Sequence, residues 1–179
     1  MSSLRLLGIC GSLRAASWNR KLMLEAARIF DPAEFLDGNL RLPLYDGDLE
    51  AQGIPLEVQA LADQIKSADA VVIVGPEYNK ALSGVLKNAL DWVSRVPGGV
   101  WRDKPVAIVS AAAGRAGGER SQMTMRHAML PFRAHVLPGP EVFIAAPDKE
   151  FDDTGRLKNE MPVKLLTELM GDLRKAASR

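Results

Sequence analysis

Residues 70–93 read Ala-Val-Val-Ile-Val-Gly-Pro-Glu-Tyr-Asn-Lys-Ala-Leu-Ser-Gly-Val-Leu-Lys-Asn-Ala-Leu-Asp-Trp-Val, and three kinds of segment follow one another within them. Ala70 to Gly75 is an unbroken apolar run with no alternation, the mark of a strand covered on both faces. Pro76 to Gly84 is polar and turn-forming. Val85, Leu86, Ala89, Leu90 and Val93 then recur at helical spacing, which predicts an amphipathic helix. A doubly covered strand that runs into a helix belongs to a parallel sheet, because parallel neighbours need a crossover between them.

The same alternation continues on either side. Leu4 to Cys10 is another nearly continuous apolar run, ended by Gly11-Ser12, and a helix follows from about Arg20 to Ile29 with Leu22, Ala26 and Ile29 on one stripe. Ala33 to Gly38 is a weaker strand. Leu40 to Leu49 reads as a loop anchored by Pro43 and Tyr45. Pro55 opens a helix marked by Val58, Leu61 and Ile65, as a first-turn proline does. Beyond the central stretch come a strand at Pro105 to Ser110, a loop-to-helix stretch at Gly118 to Pro131 and a last strand at Glu141 to Ala145. A final helix carries Leu165, Leu166, Leu169, Met170 and Leu173. Strand and helix alternate about five times with no linker or repeat, so the whole chain, 1–179, is expected to form one α/β domain.

Bulk composition narrows the function classes. Hydrophobic residues make up 47% and charged residues 25%, and 23 basic against 22 acidic side chains leave a net charge of +1. Such a balance gives no sign of a nucleic-acid binder or an acidic tail. Cys10 is the single cysteine, so no intrachain disulfide and no multi-cysteine metal site can form, and a reducing compartment fits. The apolar run after Met1-Ser2-Ser3-Leu4-Arg5 is too short for a signal peptide. No stretch approaches the roughly 20 apolar residues a membrane span requires. The expectation is a cytoplasmic protein with no membrane or nucleic-acid partner.

In an open parallel sheet, ligands bind beyond the carboxyl ends of the strands where strand order reverses. Three loops lie there. The first, Gly11 to Asn19, gathers Ser12, Arg14, Ser17 and Asn19 ahead of a helix N-terminus, which already presents exposed N–H groups and partial positive charge. Arg20 and Lys21 in the first turn are unfavourable in an empty site and acceptable beside a dianionic phosphate. The same Ser17 or Asn19 would equally cap the helix with no ligand at all. Neither Gly-Lys-Ser/Thr nor G-x-G-x-x-G is present, which disfavours a P-loop NTPase and a dinucleotide Rossmann site. The second loop carries Pro76, Glu77, Tyr78 and Asn79, suited to a wall against a flat heterocycle or to an ordinary turn. The third, Ser110 to Gly118, is built of alanine and glycine, so a ligand can approach its backbone closely.

Taken together these loops resemble one family, the NADPH-dependent FMN reductases, which include bacterial quinone and chromate reductases. Its Gly-Ser-Leu-Arg-x-x-Ser-x-Asn is matched at Gly11, Ser12, Leu13, Arg14, Ser17 and Asn19, and its Pro-Glu-Tyr-Asn at Pro76 to Asn79. Leu-Lys-Asn-Ala-x-Asp-Trp is matched at Leu86 to Trp92, and Ser-x-x-x-Gly-Arg-x-Gly-Gly at Ser110 to Gly118. The resemblance spans Leu6 to about Leu173. It implies a flavodoxin-like three-layer fold with a five-stranded parallel sheet in the order 2-1-3-4-5. It also implies non-covalent FMN, NADPH or NADH as co-substrate, a quinone, free flavin or similar small molecule as acceptor, and a homodimer or homotetramer. By the same resemblance Ser12, Arg14, Ser17 and Asn19 hold the FMN phosphate. Pro76, Glu77, Tyr78 and Asn79 line the ring, and Ser110, Gly114 and Gly117 approach its other edge. The chain departs from the family pattern at Gly75, Lys80 and Ser83, where threonine or serine, an aromatic and proline are usual.

Other residues invite less. Cys10 reads as a small apolar core residue. His127 and His135 have no cysteine or acidic partner at metal spacing. Two rivals stay open at this stage: a one-electron carrier resembling flavodoxin, which the balanced charge disfavours, and an idle flavin-binding or partner-binding domain.

Overall fold

The computed structural model describes residues 4–179. Met1 to Ser3, part of the stretch read above for a leader, lie outside the described residues. Four strands form the centre: β1 (Arg5–Cys10), β2 (Glu34–Gly38), β3 (Ala70–Val74) and β4 (Pro105–Ala112). All pair in parallel, in the order β2-β1-β3-β4. The period of two in each strand sorts its side chains between two cores. Leu6, Cys10, Val72, Val74, Ala107 and Val109 face one side, under α1 (Trp18–Phe30) and α7 (Glu160–Ala177). Leu7, Ile9, Val71, Ile73, Val106 and Ile108 face the other, under α3 (Leu56–Ser67), α4 (Gly84–Val93) and α5 (Glu119–Met129). This is the flavodoxin-like three-layer arrangement expected from the sequence.

The edge beyond β4 differs from the single strand expected at Glu141 to Ala145. Two short strands, β5 (His135–Val136) and β6 (Phe143–Ala145), share that position, β5 beside Pro105 and Val106 and β6 beside Ser110 to Ala112. Pro138 and Pro140 lie between them and have no N–H for the ladder, so pairing stops and restarts. Two short helices also went unexpected: α2 (Gly47–Ala51), inside the stretch read as a loop, and α6 (Pro147–Glu150) just after β6. Pro55 is the N-cap of α3, one residue ahead of the first helical turn.

Polar and aromatic side chains of α4 tie the 40–49 segment to the fold. Trp92 is fully buried, and its Nε1 donates to the Pro43 carbonyl at 2.8 Å. Asn88 donates to the same carbonyl at 2.9 Å and accepts from the Tyr45 backbone N–H at 2.8 Å. The ring of Tyr45 meets Trp92 edge-on at 5.1 Å. Pro43 and Tyr45 thus anchor the 40–49 segment as expected, with α4 as the anchor point. No helix among the described residues is long and apolar enough to cross a membrane.

Candidate functional site

At the carboxyl ends of β1, β3 and β4 the three loops enclose a cavity of about 420 Å³. Ser12, Arg14, Ser17 and Asn19 line it from the first loop, Pro76, Glu77 and Tyr78 from the second, and Ala111 to Ala113 from the third. Trp18, Pro147 and Asp148 complete the wall. Pro147 and Asp148 open α6, just after the fifth strand position, and no motif in the sequence marks them as cavity residues.

The first loop divides its polar groups between structure and site. Ser17 is 3% exposed and caps α1, its Oγ accepting from the Arg20 N–H at 3.3 Å. Asn19 is also buried. Its Nδ2 donates to the Ala111 carbonyl and its Oδ1 accepts from the Ala111 N–H, both at 2.9 Å, so its amide pins the first loop to the third. Both residues still present surface to the cavity. The basic first turn has an explanation other than a nearby phosphate: the Arg20 guanidinium forms a two-pronged ion pair with Asp37 at the end of β2, and the Lys21 ammonium lies 4.3 Å above the Trp18 ring. Arg14 is different. It is exposed, lines the cavity, and has no hydrogen-bond or ion-pair partner among the described residues. A free guanidinium beside an α-helix N-terminus that holds no acidic residue in its first turn is a donor set for a dianion.

The second loop is a hairpin turn. Tyr78 and Ala81 exchange backbone bonds at 3.1 Å, and Asn79 (φ 51°) and Lys80 (φ 65°) are both left-handed at its tip. Asn79 therefore shapes the turn and does not line the cavity. Tyr78 is half exposed at the cavity edge. Glu77 lines the cavity and reaches across to α5, where its Oε2 accepts from the Arg120 N–H at 3.2 Å. It thereby caps a helix whose own N-cap residue, Gly118, has no side chain to do so. Ser83 is buried, donates to the Gly11 carbonyl at 2.7 Å and caps α4 through Leu86 N–H, so the serine that replaces the usual proline ties the second loop to the first. At Gly75 a Cβ would stand 2.8 Å from Leu86 and 3.2 Å from Met125, which explains why the chain carries none there.

In the third loop the small cavity-lining residues are alanines. Ser110 is fully buried, donates to the Gly117 carbonyl at 2.8 Å and accepts from Gln122 at 2.9 Å. Gly117 (φ +58°) packs against the Phe143 backbone, where a Cβ would sit 2.8 Å away. Ser110 and Gly117 therefore set the loop's path from outside the cavity, and Gly114 is exposed beyond its wall. Cys10 is buried under the first loop, its Sγ donating to the Ser12 carbonyl at 3.6 Å, and burial pushes its thiol pKa up.

Residues 4–148 match the family model for NADPH-dependent FMN reductases. The chain belongs to that family. It is 39% identical over 168 residues to an NAD(P)H-dependent FMN reductase of Pseudomonas aeruginosa, covering 92% of this chain and 90% of that one. A quinone reductase of Escherichia coli is 41% identical over 143 residues, 77% of this chain and 76% of the relative. Among solved structures, the flavoenzyme NAD(P)H:acceptor oxidoreductase FerB from Paracoccus denitrificans superposes with a TM-score of 0.88 at 29% identity, over 98% of this chain and 97% of that one. An archaeal flavodoxin shares the fold alone, with a TM-score of 0.64 and 9% identity over 98% of this chain and 100% of that one.

The donor set suits the family's cofactor. FMN offers a dianionic phosphate, a polyol and a flat ring, and the cavity offers, in turn, a free guanidinium at a helix N-terminus, polar rims and a wall of proline, tyrosine and three alanines.

Proposed function

We propose that this cavity holds FMN non-covalently and that the chain reduces quinones, free flavin or similar small acceptors at the expense of NADPH or NADH. Its phosphate sits against Ser12, Arg14, Ser17 and the first turn of α1. Its ring lies against Pro76, Glu77 and Tyr78 on one side and Ala111 to Ala113 on the other. Asn19, Asn79, Ser110, Gly114 and Gly117 fix the loops that make those contacts. The observation that carries this reading is Arg14, a guanidinium with no partner among the described residues, in the wall of a cavity built from the family's own motifs.

Bound there, FMN supplies the two-electron chemistry between nicotinamide and acceptor. The protein's part is placement. Alanine methyls at 111–113 let a ring approach the backbone, and the α1 N-terminus holds the phosphate end so that the ring is presented in one pose. Among the described residues no histidine or cysteine lines the cavity; its two carboxylates are Glu77, engaged at α5, and Asp148 at the start of α6, and neither is assigned as general acid or base. The subunits act in the cytoplasm, where NAD(P)H is supplied, as a homodimer or homotetramer. Support for self-association comes from Met123 and Leu130, which are 62% and 70% exposed beside an open apolar hollow of about 1000 Å³ edged by Leu90, Trp101, Pro131 and Phe132. Met125 and Met129, on the same helix as Met123, are buried in the core and add nothing to that surface.

Steady-state kinetics with NADPH and a quinone tests the proposal. If donor and acceptor use the cavity in turn, double-reciprocal lines are parallel and excess quinone competes with NADPH. Tyr78→Phe keeps the maximal rate within a few-fold. Intersecting lines, or a rate loss above about a hundredfold of the kind a general acid or base gives, would contradict it.

A further inference from the structure

On the far side of the first loop from the flavin cavity lies a second hollow of about 350 Å³, between that loop and the segment that follows β2. Ser12 and Arg14 line both spaces, so the two share a wall. The remaining charged residues around the second hollow are Arg20, Asp37 and Arg41. Arg20 and Asp37 neutralise one another through their two-pronged pair. Arg14 and Arg41 have no acidic partner among the described residues, so the hollow carries two uncompensated positive charges.

Arg41 is held in place at both ends. Its backbone N–H donates to Asn39 Oδ1 at 2.9 Å, and its Nη2 donates to the Leu13 carbonyl at 3.1 Å. That leaves most of a planar five-donor fork positioned on the wall, the geometry suited to a phosphate. The volume admits a phosphate group and its ribose, and the neighbouring Asn39 and Ser12 add polar groups of the kind a ribose phosphate meets.

We infer that this hollow receives the 2′-phosphate of NADPH, with Arg41 as the residue that reads it and Arg14 shared between that phosphate and the phosphate of FMN. The inference rests on placing the flavin in the adjoining cavity. The sheet order sets the reach: the ring lies over the ends of β3 and β4, and the hollow lies beyond β1 and β2. Two strand spacings of 4.7–4.9 Å each separate them, about 10 Å, within the span of an extended dinucleotide. NADH, which has a hydroxyl at that position, gains nothing from Arg41. The site therefore discriminates between the two nicotinamide donors.

The test compares kcat/KM for NADPH and NADH in the FMN-loaded wild type, Arg41→Ala and Arg41→Lys, with FMN affinity measured on the same preparations. Wild type is expected to favour NADPH, and Arg41→Ala to lower the NADPH:NADH ratio by about 10- to 150-fold, the worth of a charge-assisted bond. Arg41→Lys, which keeps the charge and loses the fork, falls between. FMN affinity is expected to hold in all three. A wild type without NADPH preference, an unchanged ratio in Arg41→Ala, or equal losses for both donors would overturn the inference. A fall in FMN affinity in Arg41→Ala would assign the hollow to the flavin phosphate. Failure of the flavin placement itself reads out separately, as Arg14→Ala that binds FMN as the wild type does.

Discussion

Arg14 and Arg20 carry the same charge six positions apart and meet different fates, because only Arg20 has a carboxylate within reach. The sequence shows two cations near a helix start and cannot show that Asp37, seventeen residues further on, arrives beside one of them. Ser12, Arg14 and the second-loop residues Pro76 to Tyr78 share one cavity wall, and the sequence singled them out because their types and order form a motif. Asn19 was legible as important, while its work, holding Ala111, depends on a contact 92 residues away. Asn19→Ala is expected to leave the N–H and C=O of Ala111 buried without partners, at roughly 1–3 kcal/mol for each group. Urea unfolding checks this: a midpoint within error of the wild type would show that the pair holds nothing. Cys10 gives a pH prediction. Burial raises its thiol pKa in the folded state above the ordinary 9.0, so as pH climbs past 9.0 the unfolded chain releases a proton that the folded chain keeps. The unfolded state then binds fewer protons, and stability falls with rising pH. Stability of Cys10→Ala is expected to decline less than wild type between pH 8 and 10 in urea titrations run side by side (roughly the window around the thiol's reference value). Equal slopes would contradict the assignment.

At the scale of elements, long apolar runs and long stripes were readable and short pieces were not. β1, β3 and β4 are buried on both faces, which writes an unmistakable composition into them. α2 has five residues and buries none, so no periodicity marks it. β5 and β6 owe their existence to the open edge of β4, a partner the local sequence does not contain. The second-loop hairpin was seen as a loop, but its two left-handed residues were not foreseen, since only Asn79 favours that conformation. Lys80 pays a steric penalty there that glycine would not. Lys80→Gly is expected to stabilise the protein or leave it unchanged to within about 1 kcal/mol, the larger freedom of glycine in the unfolded chain opposing the relief of strain. Lys80→Val, β-branched at φ 65°, is expected to destabilise by about 1–2 kcal/mol. Thermal melts of the two variants check the order, and a valine variant as stable as the glycine one would show that the turn opens at no cost.

For the molecule as a whole, the parallel sheet collects loops from distant parts of the chain at one end and leaves an apolar hollow at its flank. The hollow and the exposed Met123 and Leu130 give the expectation of a dimer or tetramer at micromolar concentration by light scattering, and a monomer there would remove it. The collected loops give the central claim, that FMN lies in the three-loop cavity with its phosphate on Arg14. Riboflavin has the same ring and polyol without the phosphate, so the pair of ligands isolates that contact. The decisive measurement is the dissociation constant of each for the wild type and for Arg14→Ala, by quenching of flavin fluorescence. FMN affinity should fall by about 1.5–3 kcal/mol in the variant, 10- to 150-fold, with riboflavin affinity unchanged. An equal loss for both ligands, or none for FMN, would place the flavin phosphate elsewhere.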